Sequence, residues 1–373
     1  MGKILYKKLF VDVTKFFLLI SLSLTLIIWI VQAVNFLDYI SEDGHGVKTY
    51  FAITALNLPK IFSRIIPFCL FLSVFYIINR YEAKNELLIY WNIGIKKISF
   101  INNLIFLSIL FLIFQLILKS FIVPNSQNLA REFLRSSSID FFPNLIKEKK
   151  FVDTVSNLTI YVEEKDNEGN LYNIFLKDDL GEDESQIIYA KNGFIVNNEN
   201  QNFLILNYGK FIDIDKKQIT TFEFKKTEFD LSKYVTKSTT FPKVQEIKTI
   251  FLLKCLKNLE KNINYYIATN FMVCSKEVQT PIKEEIFKRL FKPLFIPVIM
   301  LIASFMILFN KDNFNYSKNQ YLIFTIGFFA IVISEILARW VQSNYTFVIF
   351  VSIPLIIFLI NYFFVTQKLK FKL

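Results

Sequence analysis

Few side chains in this protein could serve as a nucleophile, a general base or a metal ligand. The sequence contains one histidine, His45, and three cysteines, Cys69, Cys255 and Cys274. We expect no usual zinc site from these residues, and triad catalysis needs an oriented histidine. His45 lies in a short glycine-flanked stretch, where a histidine is more often exposed and inert than catalytic. We therefore expect no metal, no cofactor and no catalytic residue.

Nucleotide-binding and hydrolase motifs are also missing from the sequence. It contains no G-x-x-x-x-G-K-[ST] phosphate loop, no G-x-G-x-x-G fingerprint, no H-E-x-x-H and no G-x-S-x-G. The chain is therefore not expected to be an enzyme, and a partner must supply any energy for work on a substrate. Cys255 and Cys274 could form a disulfide if exported, but two unpaired thiols are the favoured interpretation.

Basic side chains near the ends of apolar segments are the main candidates for ligand binding. Lys60 and Arg64 are one helical turn apart and share a helix face. Four more basic residues occupy similar positions: Lys119, Lys288, Arg289 and Lys292. Such side chains could reach the phosphates of membrane phospholipids, or they could bind the phosphates of an anionic lipid substrate. The residues alone favour the first interpretation.

Glu335 is an unexpected ionisable residue within an apolar segment. Arg339 follows four residues later, so a helical ion pair between them would lower the cost of placing a carboxylate there. The carboxylate either faces a water-filled cavity or neutralises Arg339 at the membrane interface. The sequence leaves both interpretations open.

A short amphipathic segment, Arg80–Lys97, separates two long apolar segments. Glu86 near its start and Gly94 near its end are typical of one short helix, at about residues 82–94, with a left-handed glycine as its stop. Its apolar side has no evident place to be buried within the chain. We predict that a partner protein contacts this apolar side and drives movement of the membrane-spanning part through it. The apolar residues are Leu87, Leu88 and Trp91.

Six apolar segments position these residues, and each is long enough to cross a hydrocarbon core of about 30 Å. The chain of 373 residues is 53% hydrophobic and contains 43 phenylalanines, more apolar surface than a soluble domain needs. The predicted spans are Phe16–Leu37, Leu58–Asn79, Ile98–Ile122, Pro293–Phe309, Tyr321–Ala338 and Tyr345–Val365.

Lysine and arginine are concentrated in alternate connecting segments. This pattern places both termini and Arg80–Lys97 in the cytoplasm, and the long polar region between spans three and four outside. The net charge is +11, and because the basic residues flank apolar segments we expect anionic lipid headgroups as partners and no nucleic acid.

The polar region divides the chain into three parts: residues 1–123 with three spans, an outer domain at 124–286, and residues 287–373 with three spans. Pro124–Lys150 and Val244–Lys283 have helical patterns. Between them, apolar and polar residues alternate in six short runs, which predicts an antiparallel sandwich or jelly roll. The runs are Leu158–Val162, Tyr172–Leu176, Gln186–Ala190, Phe203–Leu206, Phe211–Ile214 and Thr220–Phe224.

The order of these elements resembles the LptF/LptG family of lipopolysaccharide-export permeases over essentially the whole chain. That family has six transmembrane helices with an inserted extracytoplasmic β-jellyroll. At two positions the chain departs from the family: Tyr90-Trp91-Asn92-Ile93 replaces the usual lead-in to the glycine, and Phe287 replaces a histidine. The local matches are Leu58-Pro59, Ile66-Pro67-Phe68, Asn85-Glu86-Leu87-Leu88 with Gly94, Val123-Pro124-Asn125, and Glu285-Ile286-Phe287-Lys288-Arg289 with Pro293-Leu294.

The resemblance implies a non-catalytic permease subunit in the bacterial inner membrane. It would pair with a homologous LptG-like permease on two cytoplasmic LptB-like ATPase subunits, and the complex would pass lipopolysaccharide to a bridge of periplasmic LptC/LptA-like proteins. Arg80–Lys97 becomes the coupling helix, with Glu86 docking in the ATPase. The context of span two is more similar to LptF than to LptG. The resemblance also favours five residues as substrate or gate contacts: Lys60, Arg64, Arg289, Glu335 and Arg339.

An alternative from another functional class is a membrane-anchored sensory or structural protein whose outer β domain binds a partner. Such a protein has no need for an amphipathic, glutamate-bearing helix between spans two and three. The segment Arg80–Lys97 therefore favours transport.

Overall fold

The computed structural model describes residues 2–37, 47–136, 146, 148–155, 158–166, 169–181, 184–198, 201–215, 218–231, 243–260, 265–267, 272–274, 278–341 and 344–370. His45 lies outside the described residues. The chain forms two compact units. The bundle unit comprises Met1–Ile30, Asn57–Asn128 and Lys243–Leu373, and the sheet unit comprises Val31–Leu56 and Leu129–Pro242.

Six helical segments are long and apolar enough to cross a membrane, which confirms the predicted number of spans. They are Gly2–Asn35, Val47–Ala83, Lys97–Leu134, Gln279–Leu308, Tyr316–Arg339 and Tyr345–Leu369. The α-helices are α1 (Gly2–Asn35), α2 (Val47–Leu56), α3 (Leu58–Ala83), α4 (Glu86–Asn92), α5 (Lys97–Ile117), α6 (Val123–Ser136), α7 (Thr249–Glu260), α8 (Gln279–Ile286), α9 (Phe295–Ser304), α10 (Tyr316–Arg339) and α11 (Asn344–Lys370).

Helix α9 lies at the centre of the bundle unit. It packs against α3, α5, α10 and α11, and nearly all of its side chains are buried. A helix that is apolar on every side is expected in the middle of a bundle, because none of its faces needs a polar neighbour. The outward faces of α1, α5 and α11 instead expose leucine, isoleucine and phenylalanine, as expected of helices in contact with lipid chains.

The sheet unit contains one antiparallel sheet of six strands, which confirms the predicted antiparallel β domain. The strands are β1 (Lys150–Val155), β2 (Leu158–Lys165), β3 (Asn170–Gly181), β4 (Glu184–Asn198), β5 (Gln201–Asp215) and β6 (Gln218–Asp230). They pair in chain order as a meander. The crossovers of a jelly roll do not occur among the described strands, so that finer description stays a prediction.

Strand β5 differs from the sequence prediction, which divided it into Phe203–Leu206 and Phe211–Ile214. The strand continues through Gly209, and a Cβ atom there would lie 2.1 Å from the Tyr189 carbonyl oxygen and 2.4 Å from the Phe224 ring. Glycine is therefore required by close approach of the neighbouring strands and does not mark a turn. Strand β1 was not predicted at all.

The predicted helical segment Val244–Lys283 is only partly helical. Between α7 and α8 the chain forms a short hairpin of β7 (Tyr265–Ile267) and β8 (Met272–Cys274). At the other predicted helical segment, α6 ends at Ser136 and a strand begins at Lys150. Helical periodicity identified α6, α7 and α8, but short apolar runs such as β7 and β8 fit either periodicity.

Cys255 and Cys274 form a disulfide, so the expectation of two unpaired thiols is wrong. The hairpin returns the chain to the side of α7, which brings the two Cα atoms to 5.8 Å. Both cysteines are buried in a small apolar cluster with Leu252, Ile282 and Ile286. The pairing depends on this local fold, which spacing alone does not reveal.

Candidate functional site

The basic residues singled out in the sequence line one cavity of about 430 Å³ in the bundle unit. The spans run alternately up and down, so the first turns of spans two and four lie beside the last turns of spans three and five. Side chains far apart in the sequence meet there for that reason. The charged lining residues are Lys60, Arg64, Lys119, Glu285, Lys288, Arg289, Lys292, Glu335 and Arg339.

Two π-helical turns contact each other beside the cavity. Leu118–Ile122 interrupts span three and Phe287–Phe291 interrupts span four. The ammonium of Lys119, in the first turn, donates a hydrogen bond to the carbonyl oxygen of Lys288 in the second, at 3.3 Å. Isolated π turns inside α-helices are rare and frequently occur at functional sites. Here they direct Lys119, Lys288 and Arg289 into one region.

Arg289 is buried, and all five of its N–H donors are used within the protein. The guanidinium therefore ties span four to the segment 244–249 and has no donor left for a phosphate. The structure supports a positioning role in place of the predicted substrate contact. The acceptors are the Glu285 carboxylate at 2.7 Å, the carbonyl oxygens of Val244 at 3.4 Å, Gln245 at 2.9 Å and Ile247 at 2.7 Å, and Thr249 Oγ1 at 3.0 Å.

Replacing Arg289 by alanine is expected to destabilise the protein by about 3 kcal/mol, because a partly buried carboxylate and several carbonyl oxygens lose their donor. The measurement is the thermal unfolding midpoint of the full chain in nanodiscs.

Lys288→Ala is the matched control. Lys288 pairs with Glu284 near the surface, so its replacement should cost at most about 1 kcal/mol of stability. An Arg289→Ala protein that unfolds normally but fails to bind lipid would restore the substrate-contact interpretation.

Glu335 pairs with Lys292 of span four, and the predicted pair with Arg339 does not form among the described residues. Lys292 is 8% exposed and Glu335 is 45% exposed, so a nearly buried ammonium reaches a carboxylate at the cavity wall. Of the two interpretations left open, the carboxylate facing a cavity agrees with the structure. Glu335 does not pair with Arg339 on its own helix because the Lys292 ammonium, on the neighbouring span, lies within ion-pairing distance of the Glu335 carboxylate.

The cavity carries excess positive charge. Seven lysine and arginine side chains line it, and three of them pair with the carboxylates of Glu284, Glu285 and Glu335, which leaves a net charge of +4. Four cations have no carboxylate partner among the residues that the structure describes: Lys60, Arg64, Lys119 and Arg339. Lys60 instead donates to the amide oxygen of Gln127 at 3.2 Å. Unpaired cations in a partly enclosed site are chemically suited to an anionic ligand.

Helix α4 forms the predicted short amphipathic helix, but it covers only Glu86–Asn92. Residues 82–83 continue α3, and Asn85 adopts a left-handed conformation with φ of 58° that separates the two helices. Gly94 has φ of +86°, as expected of a glycine stop. The predicted single helix at residues 82–94 is therefore the end of α3 followed, after a break at Asn85, by the shorter helix α4.

The apolar side of α4 is partly buried within the chain, contrary to the expectation. Leu87 and Tyr90 are buried in the bundle core, and Trp91 packs at its edge. The Tyr90 hydroxyl donates to the Leu5 carbonyl oxygen at 2.9 Å. Burial raises the pKa of Tyr90 to about 12, so this donor stays protonated at neutral pH. These contacts hold α4 against α1 and the bundle core.

The outer side of α4 presents Leu88, Ile89 and, just beyond its end, Ile93, which are 53%, 50% and 44% exposed. We call these three residues the α4 face. Glu86 lies beside it and pairs with Lys8 of α1 at 2.7 Å. Exposed apolar residues held on a rigid helix are suited to docking a partner. Leu88 alone of the three predicted apolar contact residues is strongly exposed.

Sequence reasoning missed several residues that build these two regions. Glu285 could have been found from its i,i+4 spacing to Arg289. Lys8, Gln127 and Gln245 carry no comparable signal, because they approach from distant parts of the chain. Within the described part of the chain, no group of three or more His, Cys, Asp or Glu residues could hold a metal ion.

Two comparisons with known proteins bear on this arrangement. A protein of Rickettsia prowazekii (strain Madrid E), described as uncharacterized, is 24% identical over 208 residues. That match covers 55% of this chain and 57% of the relative, so the chain spans little more than half of the relative's length. A family model described as lipopolysaccharide export system permease LptF/LptG matches residues 8–368. Since this match includes all six spans and the sheet, the chain belongs to the LptF/LptG family of lipopolysaccharide export permeases.

Proposed function

We propose that this chain is the permease subunit of an ATP-driven transporter that extracts lipopolysaccharide from the inner membrane and passes it to a periplasmic bridge. The observation that carries the proposal is the cavity with four cations that lack carboxylate partners among the described residues. Lipopolysaccharide carries phosphates on its lipid A, which lies at the membrane interface. Charge-assisted hydrogen bonds from lysine and arginine are the strongest contacts that a protein can offer such groups.

Lys60, Arg64, Lys119 and Arg339 are the proposed phosphate contacts. They lie near the ends of the spans predicted from the sequence, Leu58–Asn79, Ile98–Ile122 and Tyr321–Ala338, where a lipid phosphate in the membrane interface can reach them. Glu335 and Lys292 would form the wall of the same site, because their mutual pairing limits the positive charge there. Arg289 would hold the entrance of span four in place without touching the lipid.

Two observations support the proposed orientation, with both termini in the cytoplasm and the sheet unit in the periplasm. Lysine and arginine are abundant at the termini and around α4 and scarce in the alternate short connections. The Cys255–Cys274 disulfide follows the sheet in the chain, and disulfides persist in the oxidising bacterial periplasm but rarely in the cytosol. Cys69, within span two, is free.

The α4 face and Glu86 are the proposed docking site for a cytoplasmic LptB-like ATPase subunit. The sequence contains no phosphate-binding loop of its own. Tight packing of Leu87 and Tyr90 against the bundle would transmit a movement of the ATPase to the spans, because a rigid helix moves as one body. An LptG-like second permease and LptC/LptA-like bridge proteins complete the proposed assembly.

Co-expression with candidate ATPase and sister permease subunits tests the proposal. We expect the full chain to co-purify with the ATPase in mild detergent, and lipopolysaccharide to stimulate ATP hydrolysis by the reconstituted complex. Phosphatidylethanolamine, which lacks net negative charge, is the matched lipid control and should stimulate much less. Recovery of the chain without any nucleotide-binding subunit would instead favour the sensory or structural alternative.

A further inference from the structure

A second cavity, of about 610 Å³, lies at the opposite ends of spans three and four from the cationic cavity. It is formed where α5 begins, where span four ends and where α11 ends. Its lining residues are Lys96, Lys97, Ile98, Leu308, Asn310, Asp312, Asn313 and Leu369. Helix α4 lies at this same end of the bundle. The residues proposed to contact the transported lipid line the cationic cavity, at the other end of the spans.

Three lysines concentrate positive charge at this second cavity. Lys96 is exposed at its rim. Lys97 donates to the Ile307 carbonyl oxygen at 3.3 Å. Lys368 precedes the lining residue Leu369, and its ammonium lies 5.6 Å from the centroid of the Phe309 ring. Asp312 is the one carboxylate among the lining residues that the structure describes, and the three lysines outnumber it.

Two of the three lysines, Lys96 and Lys97, also lie where the helix dipole disfavours a cation. Lys96 is the N-cap of α5 and Lys97 is its first residue, and the first turn contains no acidic residue. The N-terminus of a helix carries a partial positive charge, so cations there are unfavourable unless an anion lies nearby. Lys96 and Lys368 form no ion pair with any residue that the structure describes. A bound anion would relieve this repulsion at Lys96.

The remaining walls of the cavity are amphipathic. Ile98, Leu308 and Leu369 supply apolar surface at the ends of three spans, and Asn310 and Asn313 supply amide groups beside the lysines. A free anion such as inorganic phosphate would use the polar part alone. A lipid would use both parts, because its headgroup would lie at the rim while its chains continue along the outward faces of the spans.

We propose that this cavity binds the headgroup of an anionic phospholipid, such as phosphatidylglycerol or cardiolipin, with Lys96, Lys97 and Lys368 as its cationic contacts. Basic pockets between transmembrane helices are typical sites for anionic headgroups. The bound lipid would bridge the start of span three and the end of span six, both of which adjoin the connection to α4. The site concerns a resident membrane lipid, so its test does not depend on the identity of the transported lipid.

The test uses the full chain, delipidated in detergent and titrated with short-chain phosphatidylglycerol, with binding followed by native mass spectrometry. Lys96→Gln/Lys368→Gln is expected to weaken binding by about tenfold or more, since each basic residue contributes substantially to headgroup attraction. Asp312→Asn should strengthen binding, a gain that misfolding cannot produce. Lys318→Gln, which removes one lysine charge at an exposed position on α10, is the control and should change binding little.

Three results would overturn the proposal. One is equal binding of phosphatidylglycerol and phosphatidylcholine, which would exclude recognition of the anionic headgroup. A second is unchanged binding in Lys96→Gln/Lys368→Gln. The third is full displacement of phosphatidylglycerol by inorganic phosphate at millimolar concentration, which would make the site one for free anions. Lys60→Ala/Arg64→Ala should leave this binding unaltered, which separates it from the cationic cavity.

Discussion

Replacing Lys60 and Arg64 together by alanine is expected to reduce crosslinking of lipopolysaccharide to the cationic cavity by at least roughly tenfold, because each would lose a charge-assisted bond to phosphate. A photoreactive residue at Val123, which lines the same cavity, would report binding. Neither side chain has a carboxylate partner among the described residues, and Lys60 loses only its bond to Gln127. The fold and the assembly should therefore be unaffected.

Arg80→Ala/Lys84→Ala is the matched control for this double variant. It removes two cations at the other end of the same span, where both residues are exposed. Crosslinking should then remain at the level of the unaltered protein. If the cavity variant also crosslinks normally, Lys60 and Arg64 serve only to anchor span two at bulk phospholipid phosphates.

Reversing the charge at Glu86 is expected to abolish co-purification of the ATPase subunit while all six spans still insert. The proposed docking pairs Glu86 with a cationic group of the ATPase, so Glu86→Lys would bring like charges together, which costs several kcal/mol, roughly a hundredfold or more in affinity. The measurement is the ATPase recovered per permease in mild detergent. Lys84→Glu, a charge change at an exposed residue just before α4, should keep the partner.

The Lys8–Glu86 pair makes a second variant necessary, since Glu86→Lys also breaks this contact at 2.7 Å. Lys8→Glu/Glu86→Lys restores the internal pair but leaves no acid at position 86. If docking requires that acid, the swapped protein should still fail to recover the ATPase. Recovery in the swapped protein would mean that Glu86 acts by holding α4 against α1, and recovery in Glu86→Lys alone would contradict any role in coupling.

The helical part of the fold could be predicted well because a membrane imposes one simple requirement on sequence. A spanning helix needs about twenty mostly apolar residues, since no water is present to bond its backbone. The boundaries of the strands were harder to predict than those of the helices. Phe203–Leu206 and Phe211–Ile214 were predicted as separate strands, whereas both belong to β5, which continues through Gly209 because the neighbouring strands approach too closely for a side chain there.

By itself, the sequence determined the number of spans, the antiparallel sheet between them, the short helix at Glu86 and the types of residue near span ends. These follow from local periodicity and composition, which act over one or two turns of chain. Only the tertiary structure decided that the basic residues share one cavity, that Glu335 pairs with Lys292, that Arg289 is fully occupied and that Leu87 is buried. The reason is that ion pairs and packing depend on distances between separate helices, and spacing along one helix cannot encode them.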